Sequence, residues 1–297
     1  MGIITLFDPW GSPLCTCPTK YSFSVYTGCP HSCLYCYISS YIPNPFQVRV
    51  KKDPIRKARR DLVKIDPAFH ISIANSSDPY PPIERRLKLT REALRIFLAQ
   101  GFKVQLITKS DLVTRDLDII RRGNCSVSIT ITTLDDKLAS IMEPYAPPPK
   151  RRLDALRLLS SHGVPCTVRI DPIIPFLNDE GFEDLVSAVV EAGAKHVVSS
   201  TYKARMDSFK RLSEAFPNIN EELQALYWVK GEVVGRCRYL PKRLRIDILK
   251  RLKRLVEEKG VTFATCREGL SELNSGETCD GSHLIPIRRE IKRLTEF

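Results

Sequence analysis

Three cysteines within eight residues constrain this chain more than any other feature. Cys29, Cys33 and Cys36 have the spacing C-x3-C-x2-C in the stretch YSFSVYTGCPHSCLYCY, residues 21–37. Cysteine thiolates are soft ligands that select zinc, Cu(I) or iron-sulfur clusters. Three of them on one loop can hold three irons of a 4Fe-4S cube and leave the fourth iron open for chemistry. A structural zinc site with a further ligand nearby, or disulfides, are the alternatives.

Length and composition favour a cytoplasmic protein with one large core. The chain has 297 residues, 43% of them hydrophobic, which is enough for a single α/β domain. The first residues, MGIITLFDPWGSP, lack the features of a signal peptide, and no apolar run is long enough for a membrane span. In a reducing cytoplasm, ten cysteines indicate metal binding or catalysis more than disulfides.

The charge of the chain indicates a polyanionic partner. The formal net charge is +12. Surfaces of this kind bind phosphate backbones through counterion release, so we expect nucleic acid as a partner. A surface rich in Lys, Arg and Glu, of the kind found in thermophiles, would give part of the same signal.

Alternating strands and helices predict the fold class. The predicted strands are 21–26, 69–74, 102–107, 125–131, 165–170 and 195–199, and the predicted helices up to this point are 53–64, 89–101, 112–122, 151–162 and 182–192. Such alternation implies a parallel sheet with right-handed crossovers. We therefore predict an α/β fold, a partial (βα)6 TIM-like barrel, with its chemistry at the carboxyl ends of the strands.

The chain divides into three predicted parts. Residues 1–20 form an N-terminal segment with a C-x-C pair, and residues 21–200 form the core barrel. Residues 201–297 form a mainly helical C-terminal extension. Its predicted helices are 204–215, 219–229 and 241–259, followed by a short strand at 261–265.

The cysteine motif resembles that of a known enzyme superfamily. With Tyr35 as the aromatic residue, Cys29 to Cys36 is similar to the signature C-x3-C-x-aromatic-C of radical S-adenosylmethionine (radical SAM) enzymes. The strings TGCPHSCLYCY, NSSDPYPP, LITKSDLVTRD, ITITTLDDKLASIMEP and DPIIPFLND resemble the spore photoproduct lyase-related branch, over roughly residues 13–200. Asn75 falls near the position of that lyase's hydrogen-donating cysteine, so only the shared first step carries over.

The resemblance implies cofactors, partners and an activity. It implies a 4Fe-4S cluster on Cys29, Cys33 and Cys36, SAM chelated to the open iron, and a one-electron donor such as ferredoxin or flavodoxin. Reductive cleavage of SAM would release a 5′-deoxyadenosyl radical that attacks a substrate, for which the basic charge favours nucleic acid. Radical modification of a peptide or protein, and a zinc-stabilised RNA-binding protein without radical chemistry, are the alternatives.

The resemblance also implies SAM-binding residues at the strand ends. The backbone beside Tyr35 would meet the adenine. Ser76, Ser77 and Asp78 occupy the position of the motif that binds the SAM amino group, where a proline-rich turn is the structural alternative. The remaining expected SAM ligands, which would meet its ribose or carboxylate, are Lys109, Ser128, Thr130 and Arg169.

Four further cysteines suggest a second site. Cys15 and Cys17 precede the barrel, and Cys266 and Cys279 lie in the polar C-terminal tail. If the tail folds back beside the first strand, these thiolates can bind a second iron-sulfur cluster or a structural zinc. A free cysteine here that donates a hydrogen atom to a substrate radical is the alternative. The isolated Cys125, Cys166 and Cys237 are expected to be small buried hydrophobic residues.

Overall fold

An eight-stranded sheet organises the chain. The computed structural model describes residues 2–8, 11–73 and 76–288. In chain order the strands are β1 (Thr5–Leu6), β2 (Tyr21–Phe23), β3 (Tyr26–Thr27), β4 (Arg49–Val50), β5 (Ile71–Ile73), β6 (Val104–Thr108), β7 (Cys125–Thr130), β8 (Cys166–Ile173), β9 (His196–Thr201), β10 (Glu232–Val234), β11 (Cys237–Tyr239) and β12 (Thr262–Thr265). The two pairs β3–β4 and β10–β11 form separate antiparallel ribbons.

The strand order confirms the predicted fold class. The large sheet has the order β1-β2-β5-β6-β7-β8-β9-β12, and every pairing is parallel except that of β1 with β2. The six predicted strands are β2 and β5 to β9. The order runs from β1 at one edge to β12 at the other, so the barrel is partial. All six residues of β7 are buried, as expected for a parallel strand covered on both faces.

Helices cover the outside of the barrel. They are α1 (Pro54–Leu62), α2 (Glu84–Leu87), α3 (Leu89–Ala99), α4 (Leu117–Ile120), α5 (Asp136–Met142), α6 (Pro149–Ser161), α7 (Phe182–Glu191), α8 (Met206–Ala215), α9 (Asn220–Gln224) and α10 (Lys242–Glu258). The helix α10 buries Ile248, Leu252 and Val256 on one face, at a spacing of four residues. This apolar stripe attaches the C-terminal part of the chain to the barrel.

Several of the observed helices differ from the predicted ones in their local hydrogen bonding. The predicted helix 112–122 is a 3-10 helix, Asp111–Asp116, followed by the short α4, and the predicted helix 219–229 ends in a π-helical turn, Ala225–Val229. We expected Asp53 to cap α1. Its side chain makes no capping hydrogen bond and instead pairs with Arg56, 2.9 Å away, because Asp53 has a left-handed backbone conformation.

Both flanking parts of the chain contribute to the large sheet. The strand β1, from residues 1–20, pairs with β2, and β12, from residues 201–297, pairs with β9. Residues 289–297 of the predicted extension lie outside the described residues. Among the helices in the described part of the chain, none combines the length and apolar character that crossing a bilayer requires.

The C-terminal tail enters the barrel. The backbone oxygen of Asp280 accepts a hydrogen bond from Gln105 Nε2, on β6, at 2.7 Å. The Asp280 carboxylate pairs with Lys20 Nζ at 2.6 Å, and both side chains are almost fully buried. The tail therefore closes one part of the lumen and brings Cys279 beside the segment that precedes β2.

Candidate functional site

A single cavity gathers most of the predicted site residues. It has a volume of about 580 Å³ and lies where β2, β5, β6, β7, β8, β9 and β12 end. Of the residues expected to bind cofactors or metals, all except Cys15 and Ser128 line it; those that do are Cys17, Cys29, Cys33, Tyr35, Cys36, Ser76, Ser77, Asp78, Lys109, Thr130, Arg169, Cys266 and Cys279. Parallel strands bring most of these positions together because their carboxyl ends share one edge of the sheet, whereas Cys17 and Cys279 do not directly follow a strand of this sheet.

The loop that carries Cys29, Cys33 and Cys36 begins at a position that requires glycine. Gly28 has φ +79°, and a Cβ built on it would lie 2.2 Å from the backbone oxygen of Gln47. This close approach lets Cys29 N donate to the Pro45 oxygen at 2.7 Å. The loop is thereby fixed against residues 45–47 just before the first thiol.

Two helices hold the rest of the cysteine loop. The backbone nitrogen of Leu34 donates to the Met142 oxygen, at the end of α5, at 2.9 Å. Arg211, on α8, donates to the backbone oxygens of Leu34 at 3.1 Å and of Cys36 at 3.0 Å. The C-terminal extension therefore supports the loop directly.

Of the three cysteines of the loop, Cys33 is buried and Cys29 and Cys36 are half-buried. Burial raises the pKa of Cys29 to about 12, and it likewise raises the pKa values of Cys33 and Cys36. Free thiols in this loop are therefore protonated at neutral pH. Binding of a metal or cluster releases these protons, which couples metal loading to pH.

A buried ionic network lies beneath the loop, and the sequence analysis missed it. The fully buried Glu143 accepts a hydrogen bond from the Tyr35 hydroxyl and is paired with the guanidinium of Arg152. Lys109 Nζ lies 3.9 Å from Glu143 Oε1 and 5.5 Å from the centre of the Tyr35 ring. The only signal in the sequence was a single carboxylate after the apolar end of α5.

Asp78 connects the segment after β5 to the end of β6. Its carboxylate accepts hydrogen bonds from Thr108 Oγ1 at 2.7 Å and from the Lys109 backbone nitrogen at 2.8 Å. The buried His31, in the cysteine loop, lies 3.6 Å away through Nδ1. Burial lowers the pKa of His31, which favours its neutral form. Asp78 therefore already has structural partners, and an incoming ammonium would be an additional partner.

Ser77 differs from its neighbours because its hydroxyl is buried and unpaired. Its side chain lines the cavity, and Oγ has no hydrogen-bond partner within the described residues. Ser76 is exposed at the cavity mouth, and Asn75 lies outside the described residues. Glu84, at the start of α2, is bound by Tyr26, Thr90 and Arg115 in the core.

Ser128 does not reach the cavity, contrary to expectation. It pairs in register with Thr167 on β8, whereas Thr130, two residues closer to the carboxyl end, pairs with Arg169. The Ser128 hydroxyl is buried without a hydrogen-bond partner in the described part of the chain. Both Ser128 and Thr130 face the lumen, but only Thr130 lies at the level of the cavity.

Charged side chains line the wall formed by β8 and β9. Arg169 Nη2 lies 2.5 Å from Asp171 Oδ2, and Asp171 also accepts a hydrogen bond from Ser200 Oγ at 2.5 Å. Lys203 Nζ lies 3.1 Å from Glu268 Oε1. This wall therefore presents paired cations to the cavity.

Three further thiols, Cys17, Cys266 and Cys279, line the same cavity. Cys279 Sγ lies 3.7 Å from Cys17 Sγ, and Cys15 hydrogen-bonds to Cys17. Hydrogen bonds from Cys15 and Cys279, together with the nearby Lys20 ammonium, lower the pKa of Cys17 to about 3. Cys266 interacts electrostatically with both Cys15 and Cys279.

The surroundings of the three isolated cysteines and of His283 are also defined. Cys125 and Cys166 are buried in the core. Cys237 is buried too, but it also lines the cavity, where it accepts a hydrogen bond from Arg205 Nε at 3.4 Å. His283 bonds to Thr278 Oγ1 at 2.9 Å. Within the described ranges, no three His, Cys, Asp or Glu side chains stand close enough together to hold a metal ion without moving.

Comparisons with known proteins agree with this geometry. The sequence model described as the radical SAM superfamily matches residues 23–189. An uncharacterised protein of Methanocaldococcus jannaschii is 33% identical over 54% of this chain, and the match spans 62% of that protein's length. An uncharacterised protein of Mycobacterium tuberculosis is 26% identical over 80% of this chain and 74% of its own.

A solved structure shares the fold. Spore photoproduct lyase, in a variant with bound AdoMet and dinucleoside spore photoproduct, superposes with a TM-score of 0.60 at 18% sequence identity. The match covers 80% of this chain and 72% of the lyase. At this identity the likeness establishes the fold.

Proposed function

Because the chain belongs to the radical SAM superfamily and is an enzyme of that kind, we propose that Cys29, Cys33 and Cys36 hold a 4Fe-4S cluster at which SAM is cleaved. One observation carries the proposal: the three thiols and the polar strand ends face the same cavity. A cluster held by these thiolates would supply the electron for reductive cleavage of SAM. The thiolate set suits such a cluster.

The residues of this chain would bind and orient SAM. The unpaired hydroxyl of Ser77 can accept a hydrogen bond from the SAM ammonium, beside the carboxylate of Asp78. Thr130 and Arg169 face the same space and can bind its ribose or its carboxylate. Lys109, held between Glu143 and the Tyr35 ring, places a positive charge near the thiolates and stabilises them.

The proposed substrate is nucleic acid, acted on in repair or modification. Support comes from the net charge of +12. The lyase of similar fold was solved with a dinucleoside photoproduct. A cavity of about 580 Å³ has the size of a small-molecule site, so it would admit SAM and only a small part of a polymer. A ferredoxin or flavodoxin is the proposed electron donor.

Cleavage of SAM tests the radical step. Protein reconstituted anaerobically with iron and sulfide, then given dithionite and SAM, should release 5′-deoxyadenosine and show an electron paramagnetic resonance signal of the reduced cluster. Cys33→Ala should abolish both, whereas Cys125→Ala, a buried cysteine away from the cavity, should retain both. Absence of both signals from the unmodified protein would overturn the proposed chemistry.

Salt dependence tests the substrate class. Binding to single-stranded and double-stranded DNA and RNA should weaken steeply as salt rises, because each phosphate contact releases a counterion. If nucleic acid does not bind, or binds without dependence on salt, a peptide or protein substrate is favoured instead. Comparing modified nucleosides from cells with and without the protein would then identify the reaction.

A further inference from the structure

We propose that Cys15, Cys17, Cys266 and Cys279 form a second metal centre, separate from the centre of the cysteine loop. We call these residues the four-thiol group. Four thiolates bind either a single zinc ion or an iron-sulfur cluster, and the shared chemistry is that of a soft, tetrahedral sulfur site. The inference does not depend on the proposed function, because it concerns residues outside the cysteine loop.

Three separate segments of the chain bring the four thiols together. Cys266 directly follows β12, and its backbone nitrogen donates to the Ser199 oxygen of β9 at 2.8 Å. The next turn lies against the N-terminal segment: a Cβ built on Gly269 would lie 2.8 Å from Leu14 Cδ2, so glycine allows the contact. This contact holds the turn after Cys266 beside the segment that carries Cys15 and Cys17.

The third segment is the C-terminal tail, which the buried Lys20–Asp280 pair attaches to the barrel. Lys20 follows Cys17 by three residues, and Asp280 follows Cys279 directly, so the 2.6 Å ion pair holds the two cysteine segments together. The pair is too deeply buried to be a surface contact. Its placement explains how cysteines 262 residues apart come into contact.

The spacing of the sulfur atoms fits a shared metal. Zinc-thiolate bonds of about 2.3 Å in a tetrahedron place neighbouring sulfur atoms about 3.8 Å apart. The observed separation of Cys17 Sγ and Cys279 Sγ is 3.7 Å. A disulfide requires about 2.05 Å, so the two sulfur atoms are placed as neighbouring ligands. Cys15 and Cys266 complete the set after side-chain movement.

Two cationic side chains lie beside the four-thiol group. The ammonium of Lys20 acts electrostatically on Cys17 and Cys279, and the guanidinium of Arg169 hydrogen-bonds to Cys266. A tetrathiolate zinc site carries a net charge of −2, which is costly to bury without nearby cations. Lys20 and Arg169 lie close to the group, and each also pairs with a carboxylate, Asp280 and Asp171 respectively.

Metal analysis of a variant without the first site tests the proposal. In Cys29→Ala/Cys33→Ala/Cys36→Ala, purified anaerobically, we expect metal to remain or to be taken up again. The probes are zinc alone in one sample and iron with sulfide in another. In the zinc arm we expect one zinc per chain with only sulfur ligands at about 2.3 Å by X-ray absorption. In the iron arm we expect a brown protein with iron and sulfide in the proportions of a cluster.

Two further variants identify the ligands. Adding Cys17→Ala and Cys279→Ala to the triple variant should remove the retained metal. Adding Cys125→Ala and Cys166→Ala, which alter two buried thiols away from the cavity, should leave it bound. If the first combination fails to fold, the ligand shell of the triple variant decides: four sulfur atoms support the site, and nitrogen or oxygen ligands contradict it.

Three other results would overturn the proposal. The first is a triple variant that takes up neither zinc nor iron, and the second is an equal loss of metal in the two cysteine combinations. The third is anaerobically purified protein that contains a Cys17–Cys279 disulfide and cannot be loaded with metal. None of these results would bear on SAM cleavage, which depends on the cysteine loop. Conversely, a chain that fails to cleave SAM can still contain the second centre.

Discussion

Asp280 and Lys20, 260 positions apart in the chain, form an ion pair inside the barrel. Their oxygen and nitrogen atoms are 2.6 Å apart, and only 4% and 3% of the two side chains are exposed. The Asp280 backbone is also bound by Gln105 on β6. The C-terminal tail is therefore part of the barrel interior, and it carries Cys279 to the cavity.

Removing one partner of this pair should destabilise the protein strongly. Lys20→Met leaves the Asp280 carboxylate buried without its ammonium, which costs about 3–5 kcal/mol. The matched control is Lys150→Met, because Lys150 pairs with Asp154 at the surface, where such pairs contribute less than about 1 kcal/mol. Urea unfolding of both variants measures the difference. Equal losses of stability would show that the buried pair has no special role.

The stability of the fold should fall as the solution becomes mildly acidic. Burial lowers the pKa of His70 to about 4, although the Asp280 carboxylate 3.6 Å away opposes this. The unfolded chain, with a His pKa near 6.5, binds a proton that the folded chain does not. The contribution of neutral His70 to the free energy of unfolding is therefore complete above about pH 6.5 and is lost as the pH falls toward 4. The loss is about 2 kcal/mol between pH 7 and pH 5.

Measuring the free energy of unfolding at pH 7 and pH 5 checks whether His70 causes this loss of stability. His70→Gln should lose about 2 kcal/mol less than the unmodified protein over this interval. His162→Gln should retain the full loss, because His162 is exposed. A similar pH dependence in all three proteins would exclude His70 as the source.

Much of the fold could be predicted because each strand is a local pattern. The strand 125–130, for example, combines apolar and β-branched residues that are buried on both faces, and such patterns depend only on neighbours in sequence. The alternation of strands and helices then implied a parallel sheet. Because parallel strands end at one edge, the residues after them were expected to lie close together, and all but Ser128 and Cys15 line the cavity.

The missed features depend on partners that are distant in sequence. Glu143 is an ordinary carboxylate until Arg152, Lys109 and Tyr35 surround it. The depth of Ser128 follows from the register of β7 against β8, which no local pattern specifies. The cap expected at Asp53 is absent because this residue has a left-handed backbone conformation.

Glu143 should be the most sensitive residue beneath the cysteine loop. Glu143→Gln leaves Arg152 and Lys109 without their buried counter-charge, so we expect a loss of about 3–5 kcal/mol in the free energy of unfolding. Asp154→Asn, which breaks the exposed pair with Arg157, should cost less than about 1 kcal/mol. Urea unfolding compares the two, and a small loss for Glu143→Gln would show that the network is dispensable.

Gly28 should tolerate no side chain. In Gly28→Ala the new Cβ would lie 2.2 Å from the Gln47 oxygen, so the loop must move and we expect a loss of at least about 3 kcal/mol together with less bound iron. Gly163→Ala is the control, because Gly163 also has a positive φ, +74°, but an open environment. Its cost should be only the backbone strain, about 1–2 kcal/mol. Equal effects on iron content would contradict a role for the close contact.

Two buried serines provide the sharpest test of where SAM binds. Both Ser77 and Ser128 have buried hydroxyls without hydrogen-bond partners among the described residues, but only Ser77 lines the cavity. If Ser77 accepts a hydrogen bond from the SAM ammonium, Ser77→Ala should weaken SAM binding about tenfold, the effect of one hydrogen bond to a charged group. Because neither hydroxyl has a partner to lose, both alanine variants should unfold within about 0.5 kcal/mol of the unmodified protein. Anaerobic calorimetry of SAM binding to the reconstituted protein separates the two positions: Ser128→Ala should bind like the unmodified protein, and an equal loss in both variants would mean that SAM does not use the cavity wall at Ser77.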